Sequence, residues 1–126
     1  MARNRQSAKK AGTAFETLVA TYLNEHVDDR IERRRLGGSQ DRGDIAGLRH
    51  MGGRIVVECK NTAKPALGVW ATETEIQRGN DDAVAGIIAH KRHGNGQAAD
   101  QWVTMTLGDF VALLTGSRDH IGGPKK

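Results

Sequence analysis

Between Ala11 and His26 the apolar side chains fall at Phe15, Leu18, Val19, Tyr22 and Leu23. That i, i+3, i+4, i+7, i+8 spacing is one stripe of a helix. Ile31–Leu36 is a short charged run with apolar ends, which predicts an edge strand, and 37–43 (Gly-Gly-Ser-Gln-Asp-Arg-Gly) predicts a loop. Asp44–Leu48 and Arg54–Lys60 predict two strands joined by 49–53, whose closing Gly52-Gly53 suits a hairpin connection. Val69 to Arg78 has helical character, which Gly79-Asn80 is expected to break. Ala83–His90, centred on Ile87 and Ile88, predicts a buried strand, and Gln101–Thr106 another after a turn at Gly94-Asn95-Gly96. Thr106-Leu107-Gly108-Asp109 resembles a capping box opening a last helix that ends near Gly116. The fold class that follows is α/β, a mixed central sheet flanked by helices.

The chain has 126 residues, enough for one domain, with 37% apolar and 27% charged residues, a soluble globular balance. The longest apolar stretch, Ala83–Ala89, is far short of the roughly 20 residues of a membrane span. Cys59 alone forms no intrachain disulfide and no Cys-based zinc site, which fits a cytoplasmic location. The expected organisation is a flexible basic arm over 1–10, a domain over 11–118 and a flexible tail over 119–126.

The net charge of +4 points to an anionic partner, most often nucleic acid. Its distribution sharpens that reading. Arg3, Arg5, Lys9 and Lys10 stand in the first ten residues without an acid, and Lys125 and Lys126 close the chain. The body between is acid-rich by two charges, so the basic excess is terminal.

The most informative segment is Gly43-Asp44-Ile45 followed by Ile55-Val56-Val57-Glu58-Cys59-Lys60. Strand alternation puts Glu58 and Lys60 on one face and Cys59 on the other. Antiparallel pairing brings Asp44, at the start of one strand, to the end of the next, beside Glu58. Two carboxylates and an amine then meet at one sheet end. Such a pair suits a hard divalent cation, and a cation there would polarise a phosphodiester and supply a hydroxide nucleophile. The bland alternative is a structural salt bridge at a strand end.

The pattern resembles the PD-(D/E)xK nuclease superfamily, although Gly43 stands where its proline would be. With Glu16 on the first helix and Gly38-Ser39 before Asp44, it is similar to the archaeal-type Holliday junction resolvases over about Lys10 to Gln77. That resemblance implies a restriction-endonuclease-like core, Mg²⁺ (or Mn²⁺) as cofactor, and a homodimer acting on branched or duplex DNA. It implies Asp44, Glu58 and the Cys59 backbone carbonyl as metal ligands and Lys60 as the catalytic lysine. Glu16 would complete the acidic cluster through water or a second metal, Ser39 would lie near the scissile phosphate, and Gln77 would match a helical glutamine. The DNA-binding candidates are Arg3, Arg5, Lys9 and Lys10, then Arg33, Arg34, Arg35, Ser39 and Arg42 around the loop, with Lys64 and Gln77. Alternatives are a related nuclease acting on flaps, nicks or duplex, and a non-catalytic structure-specific DNA-binding module.

His90-Lys91-Arg92-His93 does not read as a zinc site, because its histidines point to opposite faces of a strand end. Trp70, Trp102, Phe110 and Tyr22 read as core or dimer contacts rather than base-stacking platforms, since five aromatics in the whole chain are few.

Overall fold

The computed structural model describes residues 4–34 and 40–122. Arg3, Arg35, Ser39, Lys125 and Lys126 lie outside the described residues. Helix α1 runs Arg5–His26, capped by the Asn4 side chain, which accepts from the Ser7 N–H at 2.7 Å. Residues 5–10 are therefore helical rather than the expected flexible arm. An Asn cap satisfies a first-turn amide, and Ala8 and Ala11 favour helix, so the stripe that starts at Phe15 is extended toward the N-terminus.

Strand β1 is Glu32–Arg33, β2 Ile45–Ala46, β3 Arg49–His50, β4 Gly53–Lys60, β5 Ala85–His90 and β6 Trp102–Thr104. The sheet order is β1-β2-β4-β5-β6, with β3 also paired to β4. β4 and β5 are parallel and the other pairs antiparallel, so the α/β sheet is mixed. β2 is shorter than the expected strand because the chain turns at Gly47 (φ +93°), where a Cβ would sit 2.6 Å from the Arg30 carbonyl oxygen. The β3–β4 link is itself a small ladder closed by Met51 and Gly52, both at positive φ, as a two-residue hairpin turn requires.

Helix α2 spans Leu67–Asp81. It passes through Gly79-Asn80, where a break was expected, and ends at Asp82 in the left-handed region. Its buried residues Trp70, Thr74, Gln77 and Asp81 form one face against the sheet, and that packing outweighs the modest cost of one helical glycine. Helix α3 covers Leu107–Thr115, with Thr106 accepting from the Asp109 N–H at 3.1 Å. The Asp109 carboxylate does not close the expected box. It accepts from the Gly86 N–H at 2.9 Å and from Arg118 at 2.9 Å, stitching α3 to β5. The expected tail is folded back at its start: His120 Nε2 lies 2.9 Å from the Gly108 carbonyl oxygen, and the Ile121 side chain packs over Gly108.

The two faces of β4 carry different chemistry. Ile55, Val57 and Cys59 join Phe15 and Ala20 of α1, Ile31, Ile45, Leu48 and Ala89 in the main apolar core. Glu58 and Lys60 face α2. The helices thus cover opposite faces, and the polar end of β4 is enclosed on the α2 side.

Candidate active site

Ile45 pairs with Val57, and the Asp44 N–H donates to the Val57 carbonyl at 2.8 Å. This register sets Asp44 beside the Glu58-Cys59 peptide, where its Oδ2 accepts from the Cys59 N–H at 2.8 Å. Glu58, only 7% exposed, accepts at Oε2 from the Gln77 amide at 2.5 Å. Gln77 Nε2 also donates to Asp41 Oδ2 at 3.0 Å, and Asn80 Nδ2 donates to the Asp41 carbonyl at 2.8 Å. One end of α2 thereby holds both the loop that precedes Asp44 and the second carboxylate. Gln77 is 2% exposed, so its expected contact with DNA gives way to a buried positioning contact. Its Oε1 is buried without a partner among the described residues.

Lys60 Nζ lies 2.8 Å from Glu73 Oε2 and 4.0 Å from Glu58 Oε2. Burial pulls the ammonium pKa down, but Glu73, Glu58 and Asp44 outweigh it and hold the value above the ordinary lysine range. Burial, then the neighbouring Asp44 carboxyl, pushes Glu58 up to about 8, against the opposing pull of Gln77 and Lys60. Burial also raises Cys59, with Asp44, Glu16 and Glu58 adding to it; its thiol sits on the core side and stays protonated.

Glu16, half-buried on α1, is raised by burial and by Asp44, while Arg33 opposes the shift. Arg33 Nε lies 3.4 Å from Glu16 Oε1. The helix carboxylate that the resemblance adds to the acidic cluster is therefore neutralised by a cation expected on DNA. Among the described residues, no three His, Cys, Asp or Glu side chains come together as a metal-holding group. Asp44 and Glu58 remain as two oxygen donors beside each other, and the raised Glu58 carboxyl next to Asp44 fits a divalent cation. Mg²⁺ is commonly held by one or two carboxylates with water and substrate phosphate completing the shell.

Lys9, Lys10, Arg42 and Lys64, named above as DNA-binding candidates, are exposed. Arg5 is exposed too, within the first turn of α1. Trp70 is buried in α2 against His90, whereas Trp102 is 49% exposed with the Arg92 guanidinium 4.7 Å above its ring. His90 Nε2 meets Thr104 Oγ1 and His93 Nε2 meets the Thr62 carbonyl, so the two imidazoles face different partners.

Glu73 and Asp41 join the site without being among the residues expected there. A signal for Glu73 was present: Glu73 and Gln77 stand i, i+4 on one helix face, the spacing that meets Glu58 and Lys60 at i, i+2 on a strand. Nothing local singles out Asp41. Among the described residues, no helix is long and apolar enough to cross a membrane. No family model, curated protein or solved structure matches this chain.

Proposed function

We propose that the protein is a metal-dependent phosphodiesterase of the PD-(D/E)xK kind, cutting DNA in the cytoplasm. The observation that carries this reading is the juxtaposition of Asp44, buried Glu58 and the Lys60 ammonium at one end of β4, with Glu58 pushed up to about 8 by burial and Asp44. Within that class we assign it as a Holliday junction resolvase, acting as a symmetric dimer on opposed strands.

Asp44 and Glu58 would hold Mg²⁺ (or Mn²⁺), with the Cys59 carbonyl as a further oxygen donor. When bound, the cation lowers the pKa of a coordinated water and polarises the phosphodiester. Gln77 fixes the Glu58 carboxylate, and the Asp44 bond to the Cys59 amide fixes the other. Lys60 stays charged between Glu73 and Glu58, so its part is to neutralise charge growing on the phosphorane and to orient the attacking water rather than to take its proton. For the dimer, the exposed Leu107, Phe110 and Leu114 of α3 lie at i, i+3, i+7 in one apolar stripe, and Val103 is exposed on edge strand β6.

The test is a labelled four-way junction beside linear duplex and flap substrates, with and without Mg²⁺. Paired symmetric nicks in the junction, lost in Glu58→Gln while junction binding persists, are expected. Cutting of flaps or linear DNA alone would replace the resolvase assignment with another nuclease of the class. Junction binding with no cutting under any divalent ion would leave a structure-specific DNA-binding module.

A further inference from the structure

At the C-terminal end of α2, Arg34, Arg42 and Arg54 converge with Asn80, Asp81 and Asp82 on an open bowl of about 390 Å³. Their charges are unequally committed. Arg54 donates from Nε and Nη2 to the Asp81 carbonyl at 2.9 and 2.6 Å and lies 3.6 Å from its carboxylate. Arg34 has its Nε buried with no partner among the described residues. The Arg42 side chain, exposed, has no hydrogen bond or ion pair among them either.

The Arg34 Nε–H is closed off from solvent, so a phosphate in the bowl would be met by the terminal guanidinium nitrogens of Arg34 and Arg42, which suit an oxyanion. Three arginines against Asp81 and Asp82 leave the bowl one charge positive, and Asp81 is already engaged by Arg54. The bowl is also tied to the acid pair. The Arg34 N–H donates to the Asp44 carbonyl at 2.7 Å, and Arg42 adjoins Asp41, whose carboxylate meets Gln77. Arg54 shares the α2-facing side of β4 with Glu58. At about 3.3 Å per residue the two backbone positions lie roughly 13 Å apart, the axial rise of about four nucleotides.

We propose that this bowl is a phosphate-binding subsite, taking one phosphodiester of the bound DNA strand a few nucleotides from the bond placed at Asp44 and Glu58. The inference rests on the nuclease reading for its substrate and adds to it a fixed second grip on the same strand. Arg34 and Arg42 make the contact, and Arg54 and Asn80 shape the bowl around it.

The experiment measures binding in the absence of divalent ions, so it does not depend on cutting. Labelled duplex and four-way junction are titrated over a range of NaCl concentrations with the wild type, Arg42→Gln and Arg34→Gln/Arg42→Gln. Loss of one phosphate contact should flatten the log–log salt slope by about 0.9 in the double variant. A neutral methylphosphonate is then placed at each backbone position in turn. One position should weaken the wild type and leave the double variant unaffected. An unchanged slope, or methylphosphonate effects identical in both proteins, overturns the subsite. Thermal unfolding of both variants checks the fold, and since neither side chain makes an ion pair among the described residues, the midpoint should stay unchanged or rise. Inorganic phosphate that raises the wild-type midpoint while the DNA slope is unaltered by the substitutions would assign the bowl to free phosphate and also overturn the proposal. Slope loss in a protein that never cuts DNA would sink the nuclease reading and keep the subsite; cutting with an unaltered slope would do the reverse.

Discussion

Asp44 Oδ2 accepts a hydrogen bond from the Cys59 N–H at 2.8 Å, so the first carboxylate is fastened to the backbone that presents the second. The same carboxylate is also in hydrogen-bond contact with the Glu58 carboxyl, so Asp44 has both a structural and an electrostatic part. The two roles separate by substitution. Asp44→Asn keeps an oxygen acceptor for the amide and should change stability by less than about 1 kcal/mol while abolishing cleavage. Asp44→Ala leaves a partly buried N–H unpaired and should cost about 1–3 kcal/mol as well. Urea unfolding beside a junction-cleavage assay checks both, and equal stability losses in the two variants would remove the structural role.

Glu58 predicts an inverted pH dependence. Its carboxyl titrates near 8 in the fold against an ordinary 4.5, so between these values the folded form keeps a proton that the unfolded chain has lost. The unfolded state then binds fewer protons, and this group's contribution to stability falls as pH rises from about 4.5 to 8, with none of it left above. The thermal midpoint of the wild type relative to Glu58→Gln should decline across that window. Mg²⁺ should replace the missing proton, raising the midpoint more at pH 8.5 than at pH 6. A gap between the two proteins that is constant with pH would refute the assignment.

Gln77 is the joint between the Asp41 loop and Glu58. Gln77→Leu removes a donor from two carboxylates at once, one of them buried, and should slow cleavage at least tenfold while leaving DNA affinity within about twofold. Those kcat and binding measurements distinguish a positioning residue from a DNA contact, whose loss would weaken binding instead.

Gly47 should tolerate no side chain. Its φ of +93° is disfavoured for L-residues, and a Cβ would meet the Arg30 carbonyl oxygen at 2.6 Å, a backbone atom that has no rotamer to move. Gly47→Ala is expected to destabilise by about 2–4 kcal/mol, read from the denaturant midpoint. Gly68→Ala, where a Cβ meets nothing within 4 Å, is the matched control and should be close to neutral.

The α3 stripe predicts the dimer face. Leu107→Lys with Leu114→Lys should convert a dimer to a monomer in analytical ultracentrifugation without lowering the unfolding midpoint of the monomer, because both side chains are largely exposed. A wild type that sediments as a monomer at all accessible concentrations would remove the symmetric-dimer part of the reading.

Much of the architecture was legible in the residues. The α1 stripe, the apolar runs of β4 and β5 and the Thr106 cap are local patterns, set by 3.6-residue and two-residue periodicity and by one side chain's reach. The same alternation is enough to put Glu58 and Lys60 on one face of β4 and Cys59 on the other. Boundaries were less legible. Asn4 extended α1 past the start of its apolar stripe, and sheet packing carried α2 through Gly79-Asn80, against the local signal.

What the sequence determined by itself was the composition of the candidate centre: two carboxylates and an amine at the polar end of an apolar strand. The partners of these groups come from elements far away in the chain. Gln77 meets Glu58 across 19 residues, and Arg33 meets Glu16 across 17. The physical reason is that strand and helix periodicity are properties of consecutive residues. The neighbour of a buried charge is set by how separate elements dock, and no local spacing encodes that distance.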